Sequence, residues 1–103
     1  MPKSIKSWNA SERPRERLLQ KGAASLSNAE LLAILLGSGS KKEDALSLAR
    51  RILGVAAEPL KAIGRMSAEQ LMTYKGIGPG KAVTLVAALE LARRYTQNPV
   101  TAT

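Results

Sequence analysis

The stretch Lys75-Gly76-Ile77-Gly78-Pro79-Gly80-Lys81 is where the residue types and spacing of this chain can do chemistry, and that chemistry is anion binding. Gly76 stands where a preceding helix must end, and a left-handed backbone costs glycine almost nothing. Ile77 is the one apolar residue of the link and can tuck back between the flanking helices. Gly78 allows the backbone to approach a ligand closely. Pro79 carries the fixed φ suited to the first position of a new helix, where its missing N–H does no harm. Ala82, six residues after Gly76, is small enough for two helices to cross tightly. A link of this kind points backbone N–H groups and the positive end of a helix dipole at one place, which suits a phosphate. Lys75 lies at a helix C-terminus, where a cation is favoured anyway. Lys81 lies in the first turn of the next helix, where a cation is unfavourable by roughly 0.3–1 kcal/mol, so it implies an external negative partner.

The rest of the composition narrows the chemistry further. The chain has no histidine, the commonest general base and metal ligand, and no cysteine for a disulfide or a thiolate. No metal site and no cofactor are expected. Sixteen Lys and Arg stand against eight Asp and Glu, giving a net charge of +8, a balance that seeks polyanions unless it only keeps the surface soluble. Hydrophobic residues make up 45% of the chain but aromatic ones only 3%, so the core must be built of Leu, Ile, Val and Ala. Small interlocking helices suit such a core better than a β-sandwich. The length is that of one domain. With no long apolar run and no signal-peptide pattern at its start, the chain is expected to be cytoplasmic.

The elements that must position the link follow in chain order. Residues 1–12 form a basic arm around Ile5 and Trp8, where Trp8 either pins the arm to the core or stacks on a base. Residues 13–96 form the folded domain, and 97–103 a linker. Within the domain, helices are expected at 14–21, 28–36, 43–53, 59–63, 67–74 and 79–95. Pro14 opens the first and Gly22 closes it; Arg13, Arg15 and Arg17 make it basic, either as a solvated face or, through Arg15, as a secondary backbone contact. Ser27 and Glu30 make a capping box for the second, and Ser67 and Gln70 another for the fifth. The second, apolar all round from Ala29 to Leu36, must be central. The last helix carries Ala82, Leu85, Val86, Leu89 and Ala92 on one row and Val83, Ala87 and Leu91 on a second, which implies contacts on two sides. Arg93 and Arg94 in its final turn complement the dipole.

Residues 28–53 read as a degenerate copy of the segment containing the link. Leu32 precedes Gly37 by five residues as Leu71 precedes Gly76; Gly39 repeats the second glycine, and Ala45 takes the role of Ala82 after two extra residues. Ser38 replaces Ile77, and the loop is longer. Gly37, Gly39, Lys41 and Lys42 would then be secondary nucleic-acid contacts; the competing reading is an ordinary Gly/Ser loop with a solvated lysine pair. Two units joined by a connector helix make a double motif able to set two hairpins along one phosphate backbone.

The pattern Gly-Ile-Gly-Pro-Gly-Lys-Ala, led by Leu71 and Tyr74 and followed by Leu85, resembles the helix-hairpin-helix motif of DNA-repair and recombination proteins. That motif holds a nucleic-acid backbone without reading its sequence. The run Arg13-Pro14-Arg15-Glu16-Arg17-Leu18-Leu19, the run Leu26 to Leu36, the Gly76-Ile77-Gly78 link and the run Leu89 to Arg94 together resemble the amino-terminal domain of the bacterial RadC family over about residues 5–95. The resemblance implies an all-α bundle of five to six short helices. Family members continue into a metal-dependent JAB/MPN-type domain with a His-x-His and Asp zinc site; with no histidine, that domain is expected to be absent from this chain. The family name implies DNA repair but adds nothing to the mechanism.

Three functions compete on these residues. The first is a DNA-binding module contacting backbone phosphate, with Gly76, Ile77, Gly78 and Gly80 giving backbone donors or close approach and Lys75 and Lys81 giving charge. The second is a module that docks the missing metallo-domain or another protein. The third is an enzyme, since some DNA glycosylases use this motif. Those that cleave through an amine place a lysine two residues after the second hairpin glycine, where this chain has Gly80, and need a downstream aspartate, whereas the sole aspartate here is Asp44. Catalysis by this chain is not expected.

Overall fold

Six α-helices and one 3₁₀ turn make up the regular structure of the residues that the computed structural model describes, 13–39 and 43–97. In chain order they are α1 (Pro14–Lys21), a 3₁₀ turn (Ala23–Ser25), α2 (Asn28–Leu36), α3 (Ala45–Leu53), α4 (Pro59–Gly64), α5 (Ala68–Leu71) and α6 (Pro79–Gln97). The fold is all-α, and no sheet occurs among the described residues. The readings made for the arm with Trp8, for Lys41 and Lys42, and for the tail from 98 onward lie outside those residues.

The chain divides into two compact units, one ending at Arg50 and the other beginning at Arg51, so that α3 starts in the first and finishes in the second. In the first unit α1 packs on α2 and on the 3₁₀ turn. Its buried residues are Leu26, Leu32, Ala33, Leu36, Leu48 and Ala49. The capping box at Ser27 forms as the sequence requires: the Glu30 N–H donates to Ser27 Oγ (3.2 Å) and the Ser27 N–H to Glu30 Oε1 (2.8 Å). Arg17 reaches across from α1 to the same carboxylate, 2.7 Å from Glu30 Oε2. One glutamate therefore ends one helix's unpaired donors and ties a second helix to it. The carboxyl of Glu30 is held below its ordinary pKa, first by the Ser27 N–H and further by the charge of Arg17.

In the second unit α4 and α5 each pack on α6. Ile63, Leu71, Ala82 and Leu85 are buried there with almost no exposed surface, joined by Ile52 and Ile77. Ser67 and Gln70 repeat the capping box, with distances of 3.1 and 2.8 Å.

The boundaries depart from expectation at both helices that adjoin the two links. α3 begins at Ala45 rather than 43, because Asp44 serves as its cap: the Ser47 N–H donates to Asp44 Oδ1 (2.8 Å) and the Leu48 N–H to the Asp44 carbonyl (3.0 Å). That same bond from Ser47 is the main cause holding the Asp44 carboxyl below its usual pKa. α5 ends at Leu71 rather than 74. From there the chain tightens into successive three-residue turns: Thr73 N–H to Gln70, Tyr74 N–H to Leu71 and Ile77 N–H to Tyr74. The Thr73 hydroxyl also donates to the Gln70 carbonyl (2.6 Å), taking an acceptor that a continuing helix would need. Gly64 closes α4 from inside the helix and is not left-handed.

α6 runs two residues past the expected end, to Gln97. Glu90 receives Arg93 through both oxygens (3.0 and 2.6 Å) and Arg94 Nε (2.8 Å), while Arg93 also donates to Gln97 Oε1 (2.6 Å). Side chains thus hold the last turn together. The second apolar row of α6 does not gain the expected partner among the described residues: Val83 and Leu91 are 61 and 68% exposed, and Ala87 is exposed as well.

Candidate nucleic-acid interface

Two anchors set the link between α5 and α6. Gly76 has φ of 96°, a backbone that a side chain would strain. Ile77 is 5% exposed, so the apolar residue between the two glycines turns inward as its type demands. Burying it contributes about 1.5–3 kcal/mol, enough to hold the link in one conformation. Ala82 and Leu85, the first inward positions of α6, have no exposed surface.

With Ile77 inside, the remaining residues of the link face outward. Gly78, Pro79 and Gly80 are exposed, Lys75 is exposed and Lys81 is half-buried. Gly78 precedes the first helical residue, and its carbonyl accepts the Ala82 N–H (3.0 Å). Having no side chain, it cannot cap the helix as Ser27 and Ser67 cap α2 and α5. Pro79 has no N–H, and among the described residues nothing accepts the N–H groups of Gly80 and Lys81. A 19-residue helix thus presents two uncapped donors and the positive end of its dipole beside two glycines. Side chains built at Gly78 or Gly80 would meet nothing within 4 Å. Gly78 is also not left-handed, so a residue with a side chain would meet no left-handed strain there. Its glycine keeps space open on the outside.

Among the described residues no carboxylate pairs with Lys75 or Lys81, whereas Lys61 is held by Glu58 (2.9 Å) and Arg93 and Arg94 by Glu90. One cation escaped the sequence reading. Arg51, near the end of α3, donates through Nη2 to the carbonyl of Lys75. No local pattern could have shown this, because the two residues are 24 apart in the chain.

The secondary positions fare unevenly. Gly37 has φ of 79° and ends α2 as Gly76 ends the turns after α5, and Leu32 is buried as Leu71 is. Leu48 and Leu85, each three residues past the paired alanines, are both fully buried. The parallel fails at Ser38, which is exposed where Ile77 is buried, and at Ala45, which is half-buried where Ala82 is enclosed. Gly39 has a local reason to be glycine: a Cβ there would run into the backbone of Glu43 and Asp44. Arg15 is exposed on α1, while Arg17, its neighbour in the basic cluster, is taken by Glu30.

No described helix is long and apolar enough to cross a membrane. Among the described residues no group of three His, Cys, Asp or Glu side chains could hold a metal ion.

Comparison with known proteins adds the family. No solved structure matches the chain. UPF0758 proteins of Carboxydothermus hydrogenoformans and Flavobacterium johnsoniae are 54 and 53% identical to it over 95 and 91 residues, covering 92 and 88% of this chain. A UPF0758 protein of Bacillus licheniformis is 53% identical over 90 residues. These matches cover 42, 39 and 40% of the relatives, so the chain spans about two fifths of their length. The model of the UPF0758 N-terminal region matches residues 5–83, a span that takes in the basic α1, both capping boxes and the whole Lys75–Lys81 link. The chain therefore belongs to the UPF0758 family, the RadC-like proteins, and corresponds to their amino-terminal region.

Proposed function

We propose that this chain is a sequence-independent DNA-binding module that contacts backbone phosphate through residues 75–81. The observation that carries the proposal is the uncapped start of α6: among the described residues nothing accepts the Gly80 and Lys81 N–H groups, nothing fills the space over Gly78 and Gly80, and no carboxylate pairs with Lys75 or Lys81. A phosphate oxygen satisfies all of these features at once, and nothing in the link selects one base edge over another. The net charge of +8 draws a polyanion to the molecule at large. Catalysis is no part of the proposal, since the sole aspartate is engaged as the cap of α3.

A salt-dependent binding titration against single-stranded, duplex and branched DNA, and against RNA, tests the reading. Log K against log salt should fall by roughly 0.9 per phosphate neutralised on duplex DNA, with about three to five contacts. Binding that ignores salt, or none at all, would overturn it.

A docking role for the remainder of the longer relatives is the second reading, and one observation favours it. Val83, Leu91 and Tyr95 form an exposed apolar row on α6, the helix that runs to the end of the described residues. In full-length relatives the metallo-domain would be the candidate partner. A salt-insensitive complex with that domain, lost on Leu91→Glu, would support docking.

A further inference from the structure

Residues Ala82 to Leu89 carry no charge in a chain where 23% of residues do, and the outer positions of that stretch, Val83, Thr84 and Ala87, are exposed. Val83, Ala87, Leu91 and Tyr95 recur at every fourth position and so form one ridge along α6, about 18 Å long at roughly 1.5 Å per residue. All four are exposed, Tyr95 by 76%. From Leu91 to Gln97 every residue of the helix is exposed. Packing of an apolar face supplies most of the stability of a helix in a protein, yet this end of α6 is held by bonds among its own side chains. We infer that the ridge is the seat of the polypeptide that follows α6 in the longer relatives, held there in cis by its own connection to the helix. The inference rests on the docking reading of this row and is independent of the phosphate reading.

Two observations select that occupant. The first is position. The chain matches about two fifths of its relatives, and the model of their N-terminal region ends at Val83, the first residue of the ridge. In those relatives the larger part of the polypeptide therefore follows α6. The second is size. A stable interface between free proteins takes about 20–30 residues a side. Four side chains in a row fall far short of that, for a second copy of this chain as for any other free partner. A tether changes the balance, because a segment joined by a short connection is present at an effective concentration on the order of millimolar. The seat asks for an apolar, uncharged segment, and the small Ala87 in the ridge lets a helix or a strand come close.

Amide exchange compares this chain with a fusion in which Thr103 is joined to the part of the Carboxydothermus hydrogenoformans relative that follows its matched region. Amides of residues 88–95 are expected to exchange about tenfold more slowly in the fusion, as for a tethered segment present at roughly ten times its dissociation constant. Leu91→Glu in the fusion should return them to the rate of the chain alone, while Ile77, whose N–H bonds to Tyr74, keeps its protection. The chain alone should sediment as a monomer. If the fusion does not fold, the full-length relative takes its place, and the helix matching α6 must be protected there. Protection that appears on another element while α6 exchanges as in the chain alone overturns the inference and leaves the docking reading standing. No added protection anywhere overturns both. A dimer of the chain alone that Leu91→Glu dissociates also overturns the inference, because the seat then belongs to a second copy.

Discussion

At the scale of single residues, the charges of this domain fall into two kinds. Arg17, Lys61, Arg93 and Arg94 are matched by carboxylates and serve the protein's own structure. Lys75 and Lys81 are matched by none among the described residues. Lys81→Ala should therefore weaken duplex binding about equally across sequences and make the salt slope shallower by about one, while Lys61→Ala leaves both unchanged. Gly78→Val separates access from folding. A Cβ at Gly78 meets no atom of the chain, so the circular dichroism melt should shift little while affinity for DNA falls. Gly76→Ala does the reverse, because a left-handed backbone costs an L-residue about 1–2 kcal/mol, and the melt should show it.

Glu90 gives a residue-scale test by pH. Hydrogen bonds from Arg93 and then Arg94 lower its carboxyl to about 2, from an ordinary value of 4.5. A folded pKa below the unfolded one stabilises the fold above pH 4.5, and that contribution disappears as the pH falls toward 2. The stability of Glu90→Gln should therefore lie below wild type at neutral pH and converge with it under acid. Denaturation midpoints measured across that range check the convergence.

At the scale of elements, the two capping boxes invite unequal responses. α2 has nine residues and a buried face, so Ser27→Ala should cost about 1 kcal/mol and leave the helix in place. α5 has only four residues and leads directly into the turns that carry Lys75. Ser67→Ala should cost a similar amount in global stability, yet it should also raise amide exchange at Tyr74 and Ile77, because little helix remains to absorb the loss. Equal exchange in the two variants would show that the link does not depend on the cap of α5.

At the scale of the whole molecule, each of the two units keeps its own set of buried aliphatic side chains, and among the described residues none of the buried ones is aromatic. Leu85 and Leu71 have no exposed surface in the unit that carries the link. Leu85→Ala should cost about 2–5 kcal/mol, a large share of the 5–15 kcal/mol typical of a small domain, and is best read by urea titration. The same loss should abolish DNA binding only in step with unfolding, since Leu85 is turned away from the link's open side.

What the sequence determined by itself is the local structure. Capping boxes, the prolines at helix starts and the helix-ending glycines act within a few residues, so α1, α2 and the start of α6 were legible in full, as were the left-handed backbone of Gly76 and the inward turn of Ile77. Family membership was equally legible, because it is carried by runs of residue types. Tertiary structure alone decided what depends on distant partners. It brought Arg51 to the Lys75 carbonyl, took Arg17 for Glu30, and set the backbone of Glu43 and Asp44 against Gly39. It also left the second row of α6 exposed, since a helical period shows which residues share a face and not whether another element covers it.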